Sequence, residues 1–352
     1  MLVESCSYLS YYWPMSSKIS SSIVKQDKAV SSTDYFFERK FIPEYQKVPP
    51  FPYEVLLDVT SLCNHACTFC ANTDIKLKTT LASTKTLQFI QEAYSLGTRR
   101  LGVFGTGESF LVKELADYIK LAKDIGYEYV YIKTNGALCT PERLNSVLDA
   151  GLDSLRFSIH AGSRETYKKI QGRDDFDKVM TNLKNAHDYK VANSLNVHIA
   201  VSVVLTDQGR EELELLQRNA GEWVDFWDIH DLNSQCGNLL DNNEKGEIVF
   251  GGPRYDHDSG ICKQPFAGLS LTPEGYISAC IMDFYGDLIA GDYNKQGLKE
   301  IWEGEVFTKF RSDHLNNTLK DYICYSCIHN KENKHRPLIE EYSRKYRVEQ
   351  KA

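Results

Sequence analysis

The stretch "LDVTSLCNHACTFCANTD", residues 57–74, decides how the rest of the chain is read. Cys63, Cys67 and Cys70 stand within eight residues, directly after an apolar run that reads as a strand. Three is an odd number of thiols for a metal site. A structural zinc ion takes four protein ligands, and a four-iron cluster has four irons to hold. Something other than a cysteine has to fill the fourth position.

The whole chain narrows what that something is. It has 352 residues, 42% apolar and 25% charged, the composition of an ordinary globular protein of one large or two medium domains. A formal net charge of −7 gives no general pull toward nucleic acid or lipid, so neither is expected as a partner. No apolar run approaches the length of a membrane span, and "MLVESCSYLSYYWPMSSK" lacks the pattern of a signal peptide. The expected location is cytoplasmic. Seven of the ten cysteines fall into spaced groups, 63/67/70, 262/280 and 324/327, a pattern of metal or cluster binding rather than of a disulfide scaffold.

Outward from the triplet the pattern is regular. Strand-like runs at 54–60, 100–106, 129–134, 154–160, 196–204 and 224–230 alternate with helical segments near 84–96, 112–125, 141–150, 164–189 and 208–220. "TPERL" opens one helix with a Thr cap and Pro at the first helical position. Six βα units over about 175 residues predict an α/β fold, a partial (β/α)6 barrel; a closed eight-unit barrel runs to about 250. Residues 1–50 read as an N-terminal extension, 51–231 as the barrel and 232–261 as an Asn-, Asp- and Gly-rich connecting segment. Residues 262–335 read as a small α+β domain containing the hairpin "GLSLTPEGYISAC", and 336–352 as a C-terminal helix.

C-x3-C-x2-C after a first strand, with Phe69 before the last cysteine, resembles the signature of radical S-adenosylmethionine (SAM) enzymes. The resemblance implies that SAM is the missing fourth ligand. Its amino and carboxylate groups bind the open iron, and an electron from the cluster cleaves it to a 5′-deoxyadenosyl radical that takes a hydrogen atom from substrate. "GTGE", Gly105, Thr106, Gly107 and Glu108, is similar to the family's Gly-Gly-Glu stretch and by resemblance binds the cofactor's amino group. Asn135 in "KTNG" and Ser158, near His160, are placed by resemblance at the ribose and carboxylate, and Leu205 at the adenine. Each has a plainer reading as turn, cap or core residue. A zinc knuckle completed by His65 is the alternative for the triplet.

Cys262, Cys280, Cys324 and Cys327 form C-x12-G-x4-C followed by C-x2-C, with Gly275 in the hairpin turn. Spacing alone fits a zinc ribbon as well as an iron–sulfur site. The pattern resembles the SPASM extension of radical SAM enzymes and its shorter twitch form. The further cysteines of full SPASM domains are missing, which implies one auxiliary 4Fe-4S cluster beside the SAM-binding one. With four thiolates such a cluster is closed and suited to accepting an electron. The expected reaction is dehydrogenation of a sugar, aminocyclitol or other small polar metabolite, with a flavodoxin- or ferredoxin-type reductant. His230, Asp231, Arg156 and Tyr255 are candidates for the base. The alternatives are an epimerase with Cys236 as hydrogen donor and a peptide maturase, disfavoured because residues 1–50 are shorter than a leader-binding domain. From another class comes a zinc-binding or electron-transfer protein. Cys139 and Cys6 are expected to be incidental.

Overall fold

The computed structural model describes residues 45–236, 261–329 and 331–344. The expected extension, connecting segment and C-terminal helix therefore lie largely outside the described residues, as do Cys6 and Tyr255.

Six parallel strands follow in chain order: β1 (Glu54–Leu57), β2 (Arg100–Gly102), β3 (Tyr129–Thr134), β4 (Ser154–Ser158), β5 (His198–Leu205) and β6 (Phe226–Asp231). Each pairs with its sequence neighbour, as consecutive βα units dictate. The expected strands are all present, though β1, β2 and β4 end earlier than their apolar runs. Past those ends the chain turns inward to build loops.

The sheet does not close on itself. The free edge of β1 is taken by β7 (Ser270–Leu271), parallel to it, which leads through the hairpin to β8 (Tyr276–Ser278) and β9 (Ile289–Asp292). The expected hairpin is present, and its strands extend the barrel sheet, covering an edge that would otherwise expose unpaired backbone groups. The third strand, β9, had no clear signal.

Alternation along the strands sorts two faces. Val55, Leu57, Leu101, Val130, Ile132, Leu155, Phe157, Ile199, Val201 and Val203 are buried in the main core. The alternate positions include polar residues that meet across the sheet, among them Lys133, Arg156, Ser202 and Asp228. Lys133 on β3 reaches Asp228 on β6 at 3.0 Å. Three strand spacings amount to about 14 Å on a flat sheet, so these residues lie on the concave inner wall of the partial barrel.

Two expected helices break. The 164–189 segment is Arg164–Gln171 followed by Phe176–Ala192, because Gly172 turns left-handed at φ 68° and ends the first helix. The 208–220 segment is Asp207–Glu211 and Leu213–Ala220. Thr140 caps by position, with Pro141 at N1, but its side chain makes no capping bond. Of the expected C-terminal helix, 336–343 hold only a 3-10 turn at Glu340–Tyr342. This segment is pinned through its backbone and through Arg344, whose guanidinium makes a two-pronged ion pair with Glu274 at 2.8 and 3.0 Å.

Candidate active site

The expected site residues of the barrel lie at or just past the C-terminal ends of its strands, the end where βα folds collect their chemistry. The cysteine loop follows β1, and it is held by backbone bonds together with the carboxamides of Asn72 and Gln235. Ala66 N–H donates to Gln171 O at 3.3 Å and Thr68 N–H to Ile170 O at 2.9 Å, so the helix turn ending at Gly172 fixes one side. Asn72 Nδ2 donates to Ser61 O (2.8 Å) and Thr106 O (2.6 Å), while its Oδ1 accepts from Lys78 Nζ (2.7 Å). Gln235 closes the other side: its Oε1 accepts from Ala71 N–H at 2.9 Å and its Nε2 donates to Phe69 O at 2.8 Å. Those two groups flank Cys70.

The Gly-Thr-Gly-Glu segment is knitted to the same loop. Gly107 leaves no room for a side chain: a Cβ there would stand 2.2 Å from Thr60 O and 2.3 Å from Leu62 O. Gly105 lies as close to the Asp58 side chain. Thr106 donates through N–H (2.8 Å) and Oγ1 (2.6 Å) to Asp58 Oδ2, and burial pushes the Asp58 carboxyl up to about 6. Glu108 is buried, and its carboxylate accepts from Thr134 Oγ1 (2.7 Å), Asn135 N–H (2.7 Å) and Phe110 N–H (3.0 Å). Burial raises its pKa against these bonds. Glu108 therefore acts on the site by placing Asn135. The Asn135 Nδ2 then donates to Asn64 Oδ1 at 2.8 Å and approaches Cys63 Sγ at 3.9 Å.

His65 is not a fourth ligand for the triplet. Its Nε2 faces Asp175 at 3.3 Å and its Nδ1 faces Gln171 Nε2 at 3.4 Å. With both ring nitrogens engaged, the zinc-knuckle alternative loses its ligand. Phe69 meets the His160 ring edge-on at 4.9 Å, and His160 Nδ1 accepts from Val204 N–H at 3.0 Å; burial lowers the His160 pKa to about 3 and keeps it neutral. Ser158 and Leu205 end β4 and β5, half-buried, at the same mouth.

The inner wall adds a charged cluster. Asp228 accepts from Lys133 Nζ (3.0 Å) and Arg156 (3.2 Å) on one oxygen and meets His230 Nε2 (2.8 Å) on the other. Against the cost of burial, the hydrogen bond with His230 and the positive charges of Lys133 and Arg156 hold its carboxyl well below the usual carboxylate range. Arg156 also lies over the Tyr131 ring at 4.6 Å. Asp231, in contrast, pairs with Arg210 on the exposed side.

The second thiol group sits elsewhere. Cys262, Cys280, Cys324 and Cys327 line one cavity of about 390 Å³ of empty space, part of it open, with Leu288 and Phe310 among its walls. Cys324 and Cys327 share a face of the helix Ile323–His329. Cys236 lines this cavity too, with its Sγ 3.9 Å from that of Cys280. Its placement among the second group, rather than with the triplet, departs from the hydrogen-donor expectation. Cys139 is a core residue beside Thr134 Oγ1 at 3.8 Å.

Both thiol groups fit iron–sulfur clusters. Burial and neighbouring thiols push up the pKa of Cys67 and Cys324, so these groups become thiolates only where positive charge offsets them. Among the described residues no three Cys, His, Asp or Glu side chains converge as ligands of a single metal ion. Thiols spread around a cavity suit a cluster, where each thiolate has its own iron. Sequence reasoning passed over Asn72, Gln171, Gln235, Lys133 and Asp228, since amide and charged residues in loops and strands carry no spacing signal. No described helix is long and apolar enough to cross a membrane.

Comparison with known proteins identifies two families in the chain. The model of the Radical SAM superfamily matches residues 57–218, and that of SPASM, an iron–sulfur cluster-binding domain, matches 262–328. A probable GTP 3′,8-cyclase of Saccharolobus solfataricus is 30% identical over 272 residues, spanning 76% of this chain and 85% of that protein. The fold is shared with BtrN, solved in complex with AdoMet and 2-DOIA, at TM-score 0.51 and 19% identity over 78% of this chain and 91% of that one. It is also shared with Streptococcus suis SuiB bound to precursor peptide SuiA, at TM-score 0.62 and 13% identity, over 75% of this chain and 68% of that one.

Proposed function

This chain belongs to the radical SAM superfamily and carries a SPASM iron–sulfur domain, and we propose that it removes two electrons from a small polar metabolite. Cys63, Cys67 and Cys70 would hold the first cluster, and Cys262, Cys280, Cys324 and Cys327 the second. When bound, the first cluster and SAM supply a 5′-deoxyadenosyl radical, and the second cluster supplies an acceptor for an electron. The observation that carries this reading is the contrast in thiol count: three at the mouth, a full set in the separate cavity. A fully ligated cluster exchanges electrons rather than binding substrate.

The chain's own residues supply placement and a proton acceptor. Glu108 orients Asn135 over the cysteine loop, and the close-packed Gly105–Glu108 backbone forms the floor of the SAM site. Ser158 and Leu205 border it. Asp228 holds His230 by Nε2, which leaves Nδ1 to take a hydroxyl proton from an alcohol substrate. Arg156 and Lys133 support that carboxylate from the wall.

A second reading, cyclisation of GTP, is favoured by the named relative. A triphosphate needs cations, and on the described inner wall Lys133 and Arg156 share the single carboxylate of Asp228, which offsets one of their two positive charges. GTP therefore belongs in the same substrate screen. The deciding experiment is anaerobic reconstitution with SAM and a reductant, followed by mass spectrometry across sugars, aminocyclitols and GTP. Dehydrogenation yields 5′-deoxyadenosine and a product lighter by two hydrogens. A cyclised GTP product overturns the reading, and an isomer of unchanged mass indicates epimerisation.

A further inference from the structure

The second cavity holds five thiols, one more than the four irons of a single cube accept. Four belong to the spaced group near the C-terminus. The fifth, Cys236, arrives from the loop after β6 and is buried. Its Sγ is 3.9 Å from Cys280 Sγ, and it also meets the Cys327 thiol. Two thiolates on one tetrahedral metal, each about 2.3 Å from it, stand ~3.8 Å apart. Cys236 and Cys280 are thus spaced as rivals for one metal position.

The backbone that delivers Cys236 is unusual. Gln235 and Cys236 are consecutive non-glycine residues in the left-handed region, with φ 47° and 60°. That conformation is disfavoured for L-residues and persists where surroundings impose it. The imposing contacts are the two bonds of the Gln235 carboxamide to Phe69 O and Ala71 N–H, on either side of Cys70. One dipeptide therefore holds the first cysteine loop with one side chain and enters the second cavity with the next.

Resting on the reading of the second group as an iron–sulfur site, we propose that Cys236 is a fifth ligand of that cluster, interchangeable with Cys280 at one shared iron. In the exchange the Cys236 thiol loses its proton as its sulfur bonds to iron, and Cys280 takes up a proton as its own bond breaks. No electron changes hands. Because Gln235 and Cys236 are adjacent, the ligand set of the second cluster is mechanically tied to the loop at Cys70.

The test counts iron and sulfide in chains carrying Cys63→Ala, Cys67→Ala and Cys70→Ala, so that only the second site contributes after anaerobic reconstitution. The parent should hold about four irons. Cys280→Ala and Cys236→Ala should each keep about four, with Cys280→Ala showing a shifted electron paramagnetic resonance spectrum in the reduced state. The double variant should fall to about three or fewer. If Cys280→Ala alone falls as far as the double variant, Cys236 is not a ligand and the proposal fails. If Cys236→Ala alone loses the cluster, interchangeability fails. If the parent holds no iron at this site, the underlying cluster reading fails instead. Repeating the counts with the triplet intact guards against misfolding, since a lost ligand spares the first cluster and a collapsed chain loses both.

Discussion

The two thiol groups are built by opposite means. The triplet sits on one short loop held by backbone bonds to the turn at Gly172, by the Asn72 carboxamide on Ser61 O and Thr106 O, and by the Gln235 carboxamide on Phe69 O and Ala71 N–H. The second group is gathered from three distant segments around an apolar-walled cavity, with Cys236 added from the barrel. The open site and the closed site differ in what surrounds the sulfur more than in the sulfur itself.

The largest effect that can break this contrast is the loss of one triplet thiol. Cys67→Ala should reduce SAM cleavage to background and lower the iron count by about four, leaving the second cluster intact; retained cleavage would remove the open site from the chemistry. Next is Asp228→Ala, which leaves Arg156 and Lys133 without their shared carboxylate on a mostly buried wall. The expected loss is about 3 kcal/mol in denaturant unfolding, together with substrate-dependent turnover. Since its neighbours depress the Asp228 pKa, its contribution is complete above about pH 4 and fades only below.

Gln235→Ala sharpens the link between the two regions. Removing both bonds strands Phe69 O and Ala71 N–H, at a cost of about 2 kcal/mol, and should reduce iron at both sites. Loss at the first site alone would show that the dipeptide does not couple them. The smallest effect concerns acid. His314 is buried with neither ring nitrogen bonded, and burial lowers its pKa to about 4. The unfolded chain takes up this proton first, so stability falls as pH drops from about 6.5 to about 4. His314→Phe should flatten that limb by of order 1 kcal/mol at pH 5, read from unfolding curves at several pH values.

Much of this was legible in one dimension. β3 lies at Tyr129–Thr134 as its apolar run indicates, and the six βα units, the hairpin turn at Gly275 and both cysteine patterns stand where periodicity and spacing put them. Breaks were less legible: Gly172 ends a helix inside a segment whose periodicity continues, because the left-handed turn also has to pass the backbone of Ala66. The C-terminal segment shows helical spacing, and its described residues 336–343 hold a 3-10 turn at Glu340–Tyr342 beside Arg344, which pairs with Glu274 of the hairpin.

Local pattern alone determined the strands, the helices and the thiols, because each is a property of neighbouring residues. Which thiols share a cavity, and which side chains hold the loop, belongs to the tertiary structure. Gln235 meets Phe69 across 166 positions and Cys236 meets Cys280 across 44. Contacts at such separations are chosen by how the sheet curves and by where β7 docks on β1, and no spacing along the chain encodes them. The triplet announces a missing ligand by its count; that the second site has a thiol to spare is visible only once the chain is folded.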